Sequence, residues 1–566
     1  GTNGTGEPRI GGGEMRNRSW TAAARLAAAA AITVGAATAT RAAPAEVRGT
    51  WLTTTGPDHI RSGFNTGSVM SDLRAVGLNT VYVETWKNGY TNFPSPTLAA
   101  MTGGADRNPI LGTSRDLVEE TIIEAHRNEM TYIAWFEYGF AAEFVDAGGN
   151  TFSPLGRTMR DNGWLLRDQN GQLGNATQKF AWMNPAVPEV RQFLIDISLE
   201  TVRNYGLDGL QFDDRLSWPR DFGWDATTAN LYFQETGRSL PSSVNDSHFR
   251  NWRQSKVTLF AEELTTALRA ERPDLHLSVS PSVTGFSDVN FNAEWGEWQD
   301  DGLFDEYAVQ VYRSSLSTFN SSFPSNLAEF TNNGSDDRAE FVVGLRGNGD
   351  GANTPYADLE DMIDASRASG AAGHSIFYSK AVRDDYAAQL TAYYDVANLG
   401  HAESPLFPSG YRPPPAVGAS LGGNEWLVDV PDEGAYTVNF VNVNTGRWET
   451  AALGYFPAGQ RELTVFNASE VELLRDYREA PLPDFNGDGV VDAADYTLWA
   501  DNFARLTDVG DADGDGFVTR IDYDLWAGSF GRTAAAAGAV VPTPAASVLA
   551  VLAASAAASR KRSRRS

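Results

Sequence analysis

At 566 residues the chain is too long for one ordinary domain, and its length suggests about two to four. It contains no cysteine, which excludes thiol catalysis and disulfide cross-links and leaves stability to a hydrophobic core. A formal net charge of −27 argues against binding nucleic acid or an anionic lipid surface by charge.

Residues 1–14 read as an upstream leader and are set aside. Met15 opens Met-Arg-Asn-Arg, ahead of an Ala-rich apolar run from Ala22 to Ala39 and small residues leading to Pro44. This is the pattern of a secretory signal peptide over 15–43, and it predicts export to the outside or the surface of a bacterium. From Glu46 to about Leu399, strand-length apolar runs alternate with amphipathic segments. Eight strands are predicted: Val47 to Thr53, Thr80 to Trp86, Thr131 to Gly139, Gly209 to Asp214, His276 to Ser282, Glu306 to Tyr312, Glu340 to Leu345 and Ala372 to Tyr378. Helical patterns fill the gaps, among them Val69 to Val76, Arg115 to Asn128, Pro188 to Tyr205, Phe249 to Glu271 and Tyr356 to Ser369. Eight β/α units over 46–399 predict an α/β fold, a TIM (β/α)8 barrel with enlarged loops. No Gly-x-Gly-x-x-Gly turn follows the first strand, which argues against a dinucleotide fold.

In such a barrel the C-terminal strand ends converge, so carboxylates there are the first place to look for chemistry. The fourth run, Asp208-Gly-Leu-Gln211-Phe-Asp213-Asp214, ends an apolar strand in two carboxylates that resist burial unless paired or used. The second ends Tyr82-Val-Glu84-Thr-Trp86 and the third Trp135-Phe-Glu137-Tyr138, each with a Glu sharing strand parity with an aromatic residue, as in a sugar-binding floor. Glycoside hydrolysis needs two carboxyl groups, one ionised and one protonated. Asp213 is therefore the candidate nucleophile or general base, with Glu137 or Asp214 as proton donor. Glu84, Trp86, Trp135, Gln211, Tyr312 and Trp51 are the candidate substrate-binding residues. Glu294 is a weaker candidate acid. Each carboxylate also has a bland reading: a cap or ion pair beside Arg215 for Asp213 and Asp214, an ordering contact for Glu84 and Glu137, a solvated helix face for Glu294. Six scattered histidines form no His-x-x-x-His pair, so a zincin site is not expected, and no Gly-x-Ser-x-Gly elbow accompanies a barrel histidine.

Several of these segments together resemble the glycosyl-hydrolase-like 10 family. They are Val47-Arg-Gly-Thr-Trp51, Leu78-Asn-Thr-Val-Tyr82, Ala134-Trp-Phe-Glu137, Trp182-Met-Asn184-Pro185, Asp208 through Asp214, Ser278-Val-Ser-Pro281 and Val309-Gln310-Val-Tyr312-Arg313. The resemblance runs from Glu46 to about Tyr394 and implies a TIM-barrel domain acting on bacterial glycans, peptidoglycan sugar strands among them. Asp-Gly-x-x-x-Asp is also similar to the fourth-strand motif of other barrel glycosidases, whose final Asp is the nucleophile, which falls on Asp213. Those enzymes often carry Arg two residues earlier, where this chain has Gln211.

Residues 404–415 are Pro-rich and read as a linker. Over 416–480, Trp426 to Val430, Gly434 to Val443, Gly446 to Leu453 and Arg461 to Phe466 alternate with Gly-containing turns, predicting a small all-β, sandwich-like module, either a spacer or a carbohydrate binder. In 481–533 a calcium-loop pattern occurs twice, 27 residues apart. Asp484, Asn486, Asp488, the Val490 carbonyl, Asp492 and Asp495 form the first set of candidate ligands. Asp511, Asp513, Asp515, the Phe517 carbonyl, Thr519 and Asp522 form the second, with Gly489 and Gly516 at the sharp turns. Each loop leads into a helix, and the pair resembles a type I dockerin, which implies two Ca2+ sites and a cohesin-type protein partner. A calcium-stapled stability module explains the same residues. The segment 541–566 runs Pro-Thr-Pro, an Ala-rich stretch, then Arg560 to Arg565, and resembles a PEP-CTERM sorting tail, implying contact with a membrane or sorting machinery.

The sequence thus predicts an exported glycoside hydrolase acting on a polysaccharide or peptidoglycan glycan strand, attached or assembled through the calcium module. Its competitors are a non-catalytic glycan-binding surface protein using the same cleft, and a surface scaffold.

Overall fold

The computed structural model describes residues 43–145, 150–174, 179–332, 334, 336–349, 353–406 and 413–534. The expected leader, the signal peptide up to residue 42, the middle of the linker and the sorting tail lie outside the described residues. Among the described residues no helix is long and apolar enough to cross a membrane.

Eight parallel strands close into a barrel in sequential order, β8 pairing with β1. They are β1 Val47–Leu52, β2 Thr80–Glu84, β3 Thr131–Phe136, β4 Gly209–Asp213, β5 His276–Ser280, β6 Glu306–Gln310, β7 Phe341–Arg346 and β8 Gly373–Phe377. The main helices after each strand are α1 Gly63–Val76, α2 Leu117–Arg127, α3 Pro188–Asn204, α4 Ser247–Glu271, α5 Trp295–Asp300, α6 Leu316–Glu329, α7 Tyr356–Ser369 and α8 Ala387–Tyr394. Their starts follow local chemistry: the Asp116 and Asp246 side chains cap α2 and α4, and Pro188 opens α3.

Strand alternation divides the barrel into two layers. Val81, Val83, Tyr132, Ala134, Phe136, Leu210 and Phe212 face the helices, whereas Val47, Trp51, Tyr82, Ile133, Trp135 and Ala308 fill the interior. Polar side chains thread that interior. Trp51 Nε1 donates to Gln211 Oε1 (2.8 Å), Gln211 Nε2 to Ser278 Oγ (2.8 Å), and Ser278 Oγ to Glu306 Oε1 (3.0 Å). Tyr82 also donates to Glu306 Oε1 (2.7 Å), and His276 Nε2 lies 3.0 Å from Oε2.

The β-rich segment forms two sheets with a shared core. One holds β9 Ala416–Val417, β12 Gly434–Asn442, β13 Trp448–Phe456 and β15 Ala468–Arg475; the other holds β10 Ala419–Gly422, β11 Glu425–Val430 and β14 Gly459–Thr464. Three of these strands, β9, β10 and β15, go beyond the four that alternation predicts. In β15 Val471 and Leu473 face the sandwich core, while on the opposite face Leu474 packs with Ile123 of α2 beside Glu472, which meets Arg127.

Two helices follow, α9 Ala493–Asn502 and α10 Arg520–Ser529. They are tied by a reciprocal exchange: Trp499 Nε1 donates to the Thr519 carbonyl (2.8 Å) and Trp526 Nε1 to the Asp492 carbonyl (3.0 Å). Ile521 and Leu525 of α10 lie within the sandwich core, and Asp524 Oδ2 accepts the Thr464 N–H at 3.0 Å. Gly454 lets α10 pack closely on β13, since a Cβ there would meet the end of the Leu525 side chain.

Candidate active site at the barrel mouth

The register between β3 and β4 pairs Trp135 with Gln211. Glu137 and Asp213, two residues further along each chain, therefore emerge together at the C-terminal mouth. Asp213 is 4 % exposed. Its Oδ1 accepts the Asp214 N–H at 2.6 Å and a hydrogen bond from Gln310 Nε2, while Arg215 Nη1 lies 3.5 Å from Oδ2. Asp214, just past the end of β4, accepts from Ser282 Oγ (3.0 Å) and shares Arg215 Nη1 with Asp213, at 3.6 Å.

Glu137 Oε2 sits 2.7 Å from Lys87 Nζ, and Lys87 Nζ sits 2.8 Å from Glu84 Oε2. Four carboxylates thus share two cations, Lys87 and Arg215. Burial, then the charge of Asp214, push the Asp213 carboxyl well above the ordinary range, with Arg215 opposing. Burial also raises Glu137; Lys87 opposes that push and Glu84 adds to it. For Glu84, burial by itself would raise the pKa, but Lys87 and the Thr53 and Thr54 hydroxyls outweigh it and hold the group below its usual value. Tyr312 faces the same charges: burial, Asp213 and Asp214 lift its phenol well above the usual range. Outward from Arg215, whose guanidinium lies 5.1 Å from the Tyr138 ring and 4.9 Å from Phe180, the hairpin Ala141–Phe144/Phe180–Trp182 continues an aromatic run to Phe144, 5.7 Å from Phe180 and 51 % exposed.

Residues 46–348, which include β1 to β7 and every residue of this cluster, match glycosyl hydrolase-like 10. The chain belongs to that family. Among curated relatives it is similar to the glycosyl hydrolase DigH of Escherichia coli K12, 24 % identical over 261 residues, covering 43 % of this chain and 56 % of DigH. It is also similar to the glycosyl hydrolase YngK of Bacillus subtilis, 22 % identical over 268 residues, covering 44 % and 48 % respectively. The chain thus spans about half the length of the curated relatives it matches. Among solved structures, the PgaB (BpsB) glycoside hydrolase domain from Bordetella bronchiseptica aligns with a TM-score of 0.46 at 15 % identity, over 64 % of this chain and 100 % of that one.

Within this glycosyl hydrolase-like 10 barrel the mouth gathers Glu137, Asp213 and Asp214, but most of the expected substrate-binding side chains are interior. Trp51, Trp135 and Gln211 are at most 2 % exposed and plug the barrel below the carboxylates. Gln211, standing where related motifs carry Arg, spends both ends of its amide on Trp51 and Ser278. Glu84 is fully buried and offers no face to a ligand. The expected pairing of Glu84 with Trp86 on one face fails because β2 ends at Glu84: Trp86 starts a hairpin with Tyr90–Thr91 and its ring packs edge-on against Phe193. Tyr312 alone of the six keeps open surface, tilted against Phe377 at 5.2 Å. Glu294 is not brought to the cluster; it lines a separate acidic depression with Asp288, Glu297, Asp300 and Glu329. Sequence reasoning missed Lys87, whose only signal was a cation three residues after Glu84 at the end of an apolar run.

The two calcium-type loops keep their duplication in backbone geometry. Gly489 and Gly516 have φ of 87° and 85°, which only glycine adopts freely. Asp484 accepts the Gly489 N–H and Asp511 the Gly516 N–H, each at 2.7 Å. Asp495 and Asp522, at the twelfth loop position, each reach back to the N–H of the helix cap, Asp492 or Thr519. Asp511, Asp513 and Asp522 bring carboxylate oxygens within 4.8 Å of one another, the hard oxygen donor set that a cation such as Ca2+ takes.

Proposed function

We propose that the chain is a glycoside hydrolase that cleaves a polysaccharide or peptidoglycan glycan strand with the carboxyl pair Asp213 and Glu137. The observation that carries this is the charge arrangement at the mouth: four carboxylates against two cations, which favours retention of a proton. Asp213 holds it, being the more buried and the further from a cation, while at Glu137 the ammonium of Lys87, 2.7 Å away, opposes the upward push of burial. This reverses the roles expected from the strand-end motif alone. One protonated and one ionised carboxyl are what protonation of a leaving oxygen and activation of a nucleophile require. Asp214 orients Arg215, and the aromatic run to Phe144 suits a substrate with several sugar units.

The test is product analysis after incubation with peptidoglycan glycan strands and common plant and algal polysaccharides. Asp213→Asn and Glu137→Gln are each expected to lower release of new reducing ends by about 10²- to 10⁴-fold. Unchanged turnover in both, with the fold intact, would overturn the proposal. Glycan binding by the unaltered protein without new reducing ends would select the non-catalytic alternative.

For the C-terminal module we propose two Ca2+ sites with the ligands named above, serving as a brace for the sandwich. The burial of Ile521 and Leu525 in the sandwich core supports the brace over a free adaptor. Export to the bacterial surface remains part of this reading on the strength of the N-terminal and C-terminal sequence patterns.

A further inference from the structure

A lysine is seldom buried between two carboxylates unless they use its charge, because removing an ammonium from water is expensive. The Lys87 side chain is 10 % exposed, and its Nζ is surrounded by Thr53 Oγ1 (2.9 Å), Thr55 Oγ1 (3.0 Å), Glu84 Oε2 (2.8 Å) and Glu137 Oε2 (2.7 Å). The backbone that carries it is anchored twice. Trp86 is sealed in the core, and Asn88-Gly89, both with positive φ, form the tight turn that pairs Trp86–Lys87 with Tyr90–Thr91.

Glu84 is fixed from every side and faces Lys87 as its one cation partner among the described residues. Its carboxylate accepts from the Thr53 and Thr54 hydroxyls, from the Thr54 N–H (2.9 Å) and from Asn92 Nδ2 (3.3 Å). Glu137 is the opposite case. Its Oε2 has the ammonium of Lys87 as its close polar contact, at 2.7 Å. We propose that Lys87 is a positioning residue for Glu137, fixing that carboxylate at the barrel mouth in its ionised form, with Glu84 as the counter-ion that holds Lys87 in place. The assignment rests on the hydrolase reading above only for the use to which the ionised Glu137 is put. The charged and titratable groups facing Glu137 are Lys87 and Glu84 from the β2 side, Arg215 and Asp213 from β4, Tyr138 beside it and Tyr312 from the loop after β6.

Two substitutions then act in opposite senses on one observable. With Lys87→Met, Glu137 loses its counter-charge, and the acidic limb of the kcat/KM profile moves up by about 1 to 3 pH units. With Glu84→Gln, a like charge disappears and Lys87 is left to Glu137, so the limb moves down. Lys87→Arg keeps the charge and holds the limb near its original place. A purely structural role would reduce activity in both variants without displacing the limb. The same titration is read without turnover by carboxyl 13C NMR of glutamate-labelled protein, with the Glu137 signal identified by its loss in Glu137→Gln. Opposite displacements in the two variants support the assignment; a Glu137 titration that stays put, or moves the same way in both, overturns it. If no glycan is hydrolysed, the hydrolase reading fails, and the NMR titration still decides the role of Lys87.

Discussion

If the second loop holds calcium as proposed, its removal should loosen the sandwich as well as the helix that follows the loop. Asp522 accepts the N–H of the cap residue Thr519 and also ties the loop through the Ala512 N–H at 2.6 Å, so the geometry of Asp511, Asp513 and Asp522 is continuous with the start of α10. Ile521 and Leu525 complete a core with Val428, Val438, Phe456 and Leu463 from both sheets. A cation at about 100 times its Kd stabilises the bound state by about 2.7 kcal/mol, equivalent to roughly 100-fold in an opening equilibrium. Leu525→Ala removes a side chain that is 2 % exposed, which typically costs about 2 to 5 kcal/mol and reaches the same core without touching a calcium ligand. Hydrogen exchange on the full chain reads both perturbations. On addition of a chelator, amides of β13 and β14 are expected to lose protection by roughly 100-fold together with those of α10, while β2 to β5 stay protected. Leu525→Ala should produce the same pattern with calcium present. If α10 exchanges freely while β13 and β14 keep their protection, the helix pair is an appended module and the brace is wrong.

Arg127 joins the barrel to the sandwich, its Nε 2.9 Å from Glu472 and its guanidinium 4.1 Å from the Trp448 ring. Arg127→Ala leaves Glu472 without its cation and should weaken the junction, seen as faster proteolysis in the 404–415 linker at unchanged barrel ellipticity. The same junction should respond to pH. Burial pushes both Glu119 and Glu472 up to about 7, so the folded state binds protons more tightly than the unfolded chain. Their contribution to stability is therefore greatest at and below the ordinary carboxylate pKa and is lost as pH rises toward 7 and beyond. Denaturant midpoints between pH 5 and 8 should fall with rising pH, and Glu472→Gln should flatten the slope; an unchanged slope would show that Glu472 titrates normally.

What could be read from the chain is what depends on near neighbours. The alternation of apolar runs and amphipathic segments marks eight strands because side-chain direction repeats every two residues in a strand and every 3.6 in a helix. The spacing from Asp208 to Asp213 puts a carboxylate at a strand end, and the repeated calcium-loop pattern declares itself through glycines and oxygens at set intervals. Partnership was beyond its reach. Glu84 and Glu137 look alike at their strand ends, yet one is sealed under Thr53, Thr54 and Lys87 and the other opens to the mouth. Gln211 meets Trp51 across 160 residues of chain, and Asp213 meets Gln310 across 97. No local pattern encodes such contacts, because which polar group is buried, and beside what charge, is set when the barrel closes. That closure, and not the residue types at the strand ends, decides which carboxyl at the mouth sits beside which cation.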